Sequence, residues 1–367
     1  MAELPERQRL ILKEIVDRFV RQREPVSSRM ILEDYDLPVS SATVRNDMND
    51  LEAHGYIEKP YASSGRIPTK RGYRFFVDWL LDLSRLTQKQ ELEIVEAYRT
   101  PCLEVGETMR TTAWLLGSLT DCAAFVVPPE MESAQLAQVT MARLAPRRIL
   151  LVVVSDVGLI EQGLVLFDRD LTAEEVRGIA SLINRTLAGT TLGELRSMSL
   201  QNEQFEGWYE PAVRQAMLIL QEVLDREARH PLFVEGVTNV VPHLGIVGAD
   251  IAMQRFLGLV HAMQDRRRFA EAVRSVRTPD EDVHVAVGDF PLPEMEEFSV
   301  VTAAYRPRGG TLGVIGPLWM DYSRALSTVS YVAHRLEAFL AGSCVQPIEQ
   351  SEALEQDEEL VTHHDVE

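Results

Sequence analysis

The chain has 367 residues, 46% of them hydrophobic and 25% charged, a globular balance with length for two or three domains. Its longest aliphatic run, Ile149 to Val154, is too short to span a membrane, and Met1 to Arg7 has no apolar signal region, so a cytoplasmic protein without membrane contact is expected. The net charge of −19 would exclude nucleic acid if it were evenly spread, but residues 1–80 carry 13 Lys/Arg and 13 Asp/Glu, and all the excess acid lies beyond them.

The first helix begins at Pro5, with Glu3 and Glu6 near the positive end of its dipole. Ile11, Leu12, Ile15, Val16, Phe19 and Val20 recur along it as a buried stripe, and Glu24-Pro25 ends the segment. A short second helix runs from Ser27 or Ser28 through Leu32, and Asp36-Leu37-Pro38 reads as a turn. The third helix opens at Ser40 or Ser41, both good N-caps, and runs to about His54, with Gly55 placed for a left-handed C-terminal cap. Residues 56–58 and 66–69 predict two short strands around a turn at 62–65. Three helices followed by a small hairpin predict a winged helix-turn-helix over residues 1–80.

Residues 75–120 are patterned as helix, with a break at Thr100-Pro101. Strands are predicted at 123–127, 137–144, 149–154 and 159–167, then helices at 171–187 (with Thr172 as N-cap), 211–228 and 250–274. Strands return at 283–287, 300–305 and 311–315, and a helix over 321–340 closes the pattern. This order predicts an α+β multidomain chain with a helical insertion inside one α+β domain. The expected boundaries are 1–80, a discontinuous 81–169 and 241–345, an insert at 170–240 and a tail at 346–367. From Pro347 onward there are eight acidic and no basic residues, the composition of a disordered tail.

Chemistry concentrates on the third helix. Val44, Met48 and Leu51 share one face and are expected to pack on the first helix. The opposite face presents Ala42, Asn46 and Asn49, flanked by Thr43 and Arg45, while Asp47 and Asp50 point away from phosphates. Arg pairs with guanine, Asn with adenine, and Ala or Thr methyl groups touch thymine. On its own such a face is an ordinary solvated helix surface; its place as third helix of this arrangement makes it the expected reader of bases. Lys59 to Arg74 holds five basic residues and no acid, and the predicted wing carries Arg66, Lys70 and Arg71 beside Gly65 and Gly72. Gly65 allows close backbone approach, and the cations are expected to hold phosphates or enter the minor groove. The expected DNA-binding set is therefore Ser40, Ser41, Ala42, Thr43, Arg45, Asn46, Asn49, Arg66, Lys70 and Arg71.

Glu6–Leu12, Glu24–Arg29, Ser40–Met48, Leu51–Ile57, Gly65–Thr69 and Gly72–Val77, with Gly313–Pro317 and Met320–Tyr322 near the other end, resemble the heat-inducible transcription repressor HrcA family. The resemblance spans residues 5–340 and departs from the family's usual pattern at Ser27 and at Tyr61-Ala62. It implies a bacterial repressor with a winged helix, a GAF-like domain and a dimerising insertion. It further implies a homodimer on an inverted-repeat DNA operator upstream of chaperone operons, modulated by the GroEL chaperonin.

No catalytic constellation, metal-ligand spacing or cofactor motif emerges, so an enzyme is not expected. Gly309 to Pro317 lacks both the Gly-Lys-Ser/Thr of a phosphate loop and the dinucleotide spacing, and reads as a glycine-rich turn between strands. Cys102, Cys122 and Cys344 fit buried thiols. The alternative of another class is a metabolite-sensing winged-helix regulator that uses the GAF-like domain.

Overall fold

The computed structural model describes residues 4–34, 40–61, 64–99, 105–128, 134–156, 160–198, 210–227, 232–244, 249–276, 282–306 and 310–341. The expected turn at Asp36-Leu37-Pro38, the break at Thr100-Pro101, the acidic tail, Cys102 and Cys344 lie outside them.

Helix α1 (Glu6–Gln22) buries Ile11, Leu12, Ile15, Val16 and Phe19, the stripe expected from their spacing. Helices α2 (Ser28–Asp34) and α3 (Ser41–Ala53) follow, then the antiparallel hairpin β1 (Ile57–Glu58) and β2 (Ile67–Pro68), in which Ile57 faces Pro68. The hairpin has a third member that the pattern does not reveal. Val26 and Arg66 exchange backbone hydrogen bonds of 2.8 Å in both directions. That approach needs Gly65, since a Cβ there would lie 2.5 Å from the Val26 carbonyl oxygen. Helix α4 (Lys70–Trp79) starts directly after β2, with Thr69 accepting from the Gly72 N–H as its cap.

The expected helical stretch 75–120 is three helices: α4, α5 (Gln88–Ala97) and α6 (Val105–Thr120). Next comes a fully antiparallel five-stranded sheet. Its strands are β3 (Ala123–Val127), β7 (Phe233–Glu235), β8 (Val283–Val287), β9 (Phe298–Tyr305) and β10 (Gly310–Pro317), ordered β7-β3-β10-β9-β8. Both faces are buried, and strand periodicity sorts them. Ala124, Val126, Leu312 and Val314 share a core with α6, the N-terminal helices and the final helix α13 (Tyr322–Leu340). Ala123, Phe125, Val127 and Ile315 face α11 (Ala249–Gln264) and α12 (Arg266–Ser275). The strand expected at 311–315 is thus the wholly buried central strand Gly310–Pro317, which takes up the span read as a glycine-rich turn; its glycines admit neighbouring rings and backbone, Gly313 lying against Phe125.

Strands β4 (Leu136–Ala145), β5 (Arg148–Ser155) and β6 (Ile160–Leu166) do not join that sheet. They form their own, ordered β4-β5-β6, covered on one face by α7 (Ala173–Leu187), α8 (Leu192–Ser197) and α9 (Glu210–Glu227). The separate core runs from Ala134 to Leu220, so these strands group with the helices expected as an insert at 170–240 and not with residues 81–127. The excursion leaves after β3 and returns at β7, which pairs directly with β3. Helix periodicity marked only the helical part of this unit, because half-buried strands look alike whichever sheet takes them. Helix α10 (Val241–Leu244) and a preceding 3-10 turn at Val237–Val240 link β7 to α11.

Candidate nucleic-acid interface

Helix α3 is anchored from one side. Val44, Met48 and Leu51 are buried in the core shared with α1. Asp47 is buried as well and accepts from Arg7 Nε at 2.6 Å and Nη2 at 3.1 Å, an arrangement that raises the Arg7 pKa, chiefly through that hydrogen bond. Asp50 accepts from Gln8 Nε2 at 3.3 Å. Both acids are thereby drawn toward α1, and the remaining face is left without carboxylates from Asp47. At the helix start, Ser40 Oγ accepts from the Thr43 N–H at 3.2 Å, closing the N-cap.

The opposite face exposes Ser40, Ser41, Ala42, Arg45, Asn46 and Asn49, with Thr43 half-buried. Arg45 and Asn46 make no hydrogen bond or ion pair with other described residues, so their donors are free to meet an incoming surface. Asn49 is committed differently: its Oδ1 accepts from Arg66 Nη2 at 2.8 Å. Arg66 also reaches Glu52 Oε2 at 2.9 Å, and Lys59 reaches the same oxygen at 3.3 Å. Glu52 therefore ties the hairpin to α3 and partly neutralises its cations. With its side chain only 12% exposed, Arg66 is a bracket between helix and hairpin in this structure.

Lys70 and Arg71 are not on the hairpin. They form the first turn of α4, because β2 is just two residues long and Thr69 caps a helix at once. Lys70 Nζ donates to the Gly288 carbonyl, away from α3, and Arg71 Nη1 donates at 2.7 Å to the His54 carbonyl at the end of α3 while stacking 4.6 Å from the Tyr56 ring. Charge alone locates them in the acid-free run from Lys59 to Arg74, which does not separate the hairpin from the helix that follows it. Tyr61, 77% exposed on the hairpin, is a further candidate outside the expected set. Ser64 holds its backbone, accepting from the Tyr61 N–H at 3.1 Å and donating to its carbonyl at 2.7 Å. The available signal was an aromatic ring in a Ser/Gly turn, a residue type that stacks on sugars and bases.

Among the described residues, no group of three His, Cys, Asp or Glu gathers as a metal site, and no helix is long and apolar enough to cross a membrane. Cys122 is buried, and burial pushes its thiol pKa up to about 12.

Comparison with known proteins agrees with this architecture. The family described as HrcA protein C terminal domain matches residues 106–326. Heat-inducible transcription repressor HrcA of Shouchella clausii is 32% identical over 344 residues, covering 92% of this chain and 99% of that one. The repressor of the same name from Syntrophobacter fumaroxidans is 31% identical over 350 residues, covering 93% and 98%. A crystal structure of a hypothetical protein shares the fold, with a TM-score of 0.66 at 22% identity over 93% of this chain and 99% of that one. With a matched domain across more than half of its length and relatives of this identity end to end, the chain belongs to the heat-inducible transcription repressor HrcA family.

Proposed function

We propose that the chain is a repressor that binds DNA through α3 of an N-terminal winged helix, as a homodimer on an inverted-repeat operator upstream of chaperone operons. The observation that carries this reading is the free Arg45–Asn46 face on a helix whose other side is fixed to α1. Ser40, Ser41, Ala42 and Thr43 at the N-terminal end of α3 complete the contact surface, and Tyr61 extends it along the hairpin. Arg66 and Asn49 support that surface by holding the hairpin on the helix. The expected result is that Arg45→Ala or Asn46→Ala each costs about 1–3 kcal/mol at the operator and relaxes base preference, in quantitative footprinting against wild-type protein. Unchanged footprints in both variants would place the contact elsewhere.

The homodimer follows from the half-site: one reading helix covers a short sequence, and two in matched orientation need a two-fold axis. The surface that supports it is the bare face of β4–β6. Leu150, Val152 and Val154 are half-buried there, and Leu164 and Leu166 are more than 60% exposed. Most apolar residues of α7 and α9 pack against the opposite face, Leu218 being the exposed exception, which moves the proposed contact from the helices to the sheet.

The GAF-like reading of the five-stranded unit bears on the GroEL chaperonin. Strand β3 at residues 123–127 must find β10 at residues 311–315, with the whole second unit folding between them. Such long-range pairing folds slowly and exposes apolar surface on the way, the condition under which a chain becomes a chaperonin client. We therefore expect GroEL to raise the yield of operator-binding protein on refolding severalfold, and an excess of another denatured protein to cancel the gain. Equal yields in all three mixtures would refute chaperonin control. The metabolite-sensing alternative finds less support, because side chains fill both faces of the five-stranded sheet among the described residues.

A further inference from the structure

The N-terminal unit meets the five-stranded unit through a set of directed bonds. Three cations each reach a backbone carbonyl: Arg23 the Trp319 oxygen, Lys70 the Gly288 oxygen and Arg74 the Val285 oxygen, the last at 2.8 Å. Arg74 is also paired with Asp289. Val285 lies on β8, an outer strand of the sheet, so Arg74 caps a carbonyl at its open edge. Gly288 has φ +66°, and a Cβ there would lie 2.6 Å from the Glu296 oxygen and 2.7 Å from Lys70 Cε. The glycine thus turns its carbonyl out and leaves room for the lysine stem lying against it.

Lys70 occupies the first turn of α4, where the helix dipole disfavours a cation, so its placement is not explained by helix stability. Its neighbour Arg71 runs the other way, to the carbonyl of His54 at the end of α3. Together these contacts make a short path from the sheet edge through α4 to the helix with the free Arg45–Asn46 face. Charge-assisted bonds to fixed carbonyls are directional in a way that apolar packing alone is not. Packing is present as well, in Tyr73, buried beside Tyr322 with ring centroids 6.3 Å apart.

We propose that Lys70 and Arg74, with Asp289, are positioning residues that fix the angle at which α3 is presented by the body, and that they thereby set the spacing between the two half-sites the dimer accepts. This rests on the reading of a dimer on paired half-sites. It also assigns Lys70, which the sequence alone pointed toward phosphates, to geometry.

The test is selection from a random-sequence DNA duplex library with full-length wild type, Lys70→Met, Lys70→Arg and Asp289→Asn. Asp289 is a half-exposed residue of the body, so its variant reports on the joint without altering the N-terminal unit. Wild type is expected to enrich an inverted repeat with one dominant spacing. Lys70→Met and Asp289→Asn should keep the same half-site sequence but spread over neighbouring spacings. At the wild-type spacing their affinity should fall about fivefold to tenfold, with less than about a twofold change on an isolated half-site, and Lys70→Arg should restore the wild-type pool. The same narrow spacing in both variants overturns the proposal. So does a changed half-site sequence, or a loss on the isolated half-site equal to that on the repeat, since either makes Lys70 a DNA contact or a purely structural residue. A wild-type pool without paired half-sites overturns the dimeric reading first, and the two failures are thereby told apart.

Discussion

Replacing Phe125 with alanine is expected to destabilise the five-stranded unit by about 3–5 kcal/mol, the upper range for a single core substitution. The ring is fully buried, lies 5.1 Å from Phe269 at an interplanar angle of 83°, and belongs to a chain of rings that continues from Phe269 to Phe290 at 5.8 Å. Its floor is backbone. Phe125 sits opposite Gly313, and a Cβ at Gly313 would come within 2.8 Å of the ring. A main-chain floor cannot collapse into the space that alanine leaves, so the cavity persists and both its transfer and packing terms are lost. Urea unfolding followed by tryptophan fluorescence should show a lower midpoint with the slope unchanged. The second unit has its own core from Ala134 to Leu220, so a transition assigned to it should not move. A loss below about 1 kcal/mol would mean that the ring is not packed as described.

The elements were legible wherever one period dominated. The α1 stripe, the Ser40 cap of α3 and the Thr172 cap of α7 follow from local chemistry, and the caps accept from Thr43 and Glu175 as their spacing implies. Sheet membership was not legible. Residues 137–167 read as strands, but nothing local separates a strand that joins β3 from one that pairs only with its own neighbours. The strand at Phe233–Glu235 is three half-buried residues long, too short for a period to register, yet it locates the return from the second unit. The α3 face was legible because it depends on one helix's geometry. The intramolecular partners of Arg66, Lys70 and Arg71 were not, because each lies far along the chain or across a turn: Glu52, Gly288 and His54. Charge counts locate cations without saying which are already spoken for.

Introducing aspartate at both Leu150 and Leu164 is expected to convert the proposed dimer to monomer and to weaken binding to the inverted repeat by about 10²-fold or more, while leaving affinity for a single half-site unchanged. The two leucines are register partners on β5 and β6 and point away from the core that Ile149, Leu151 and Val165 fill on the other face. One face of the sheet is packed, and the other bears Leu150, Val152, Val154, Leu164 and Leu166, an apolar cluster of the kind that marks an interaction surface. A two-fold axis would set the same patch of two copies face to face, so aspartates introduced within it would bring like charges together across the contact and add repulsion to the lost apolar burial. Because Leu164 is 64% exposed and Leu150 half-buried in the single chain, the double variant should keep the far-UV circular dichroism of the unmodified fold, with a lower melting temperature from the Leu150 change. Sedimentation velocity reads the mass, and binding titrations on one and two half-sites read the consequence. Leu218 on α9, 52% exposed on the helical side, is the control. If Leu218→Asp dissociates the protein and the sheet pair does not, the copies meet through the helices. If neither does and the protein remains dimeric, the interface lies outside this unit.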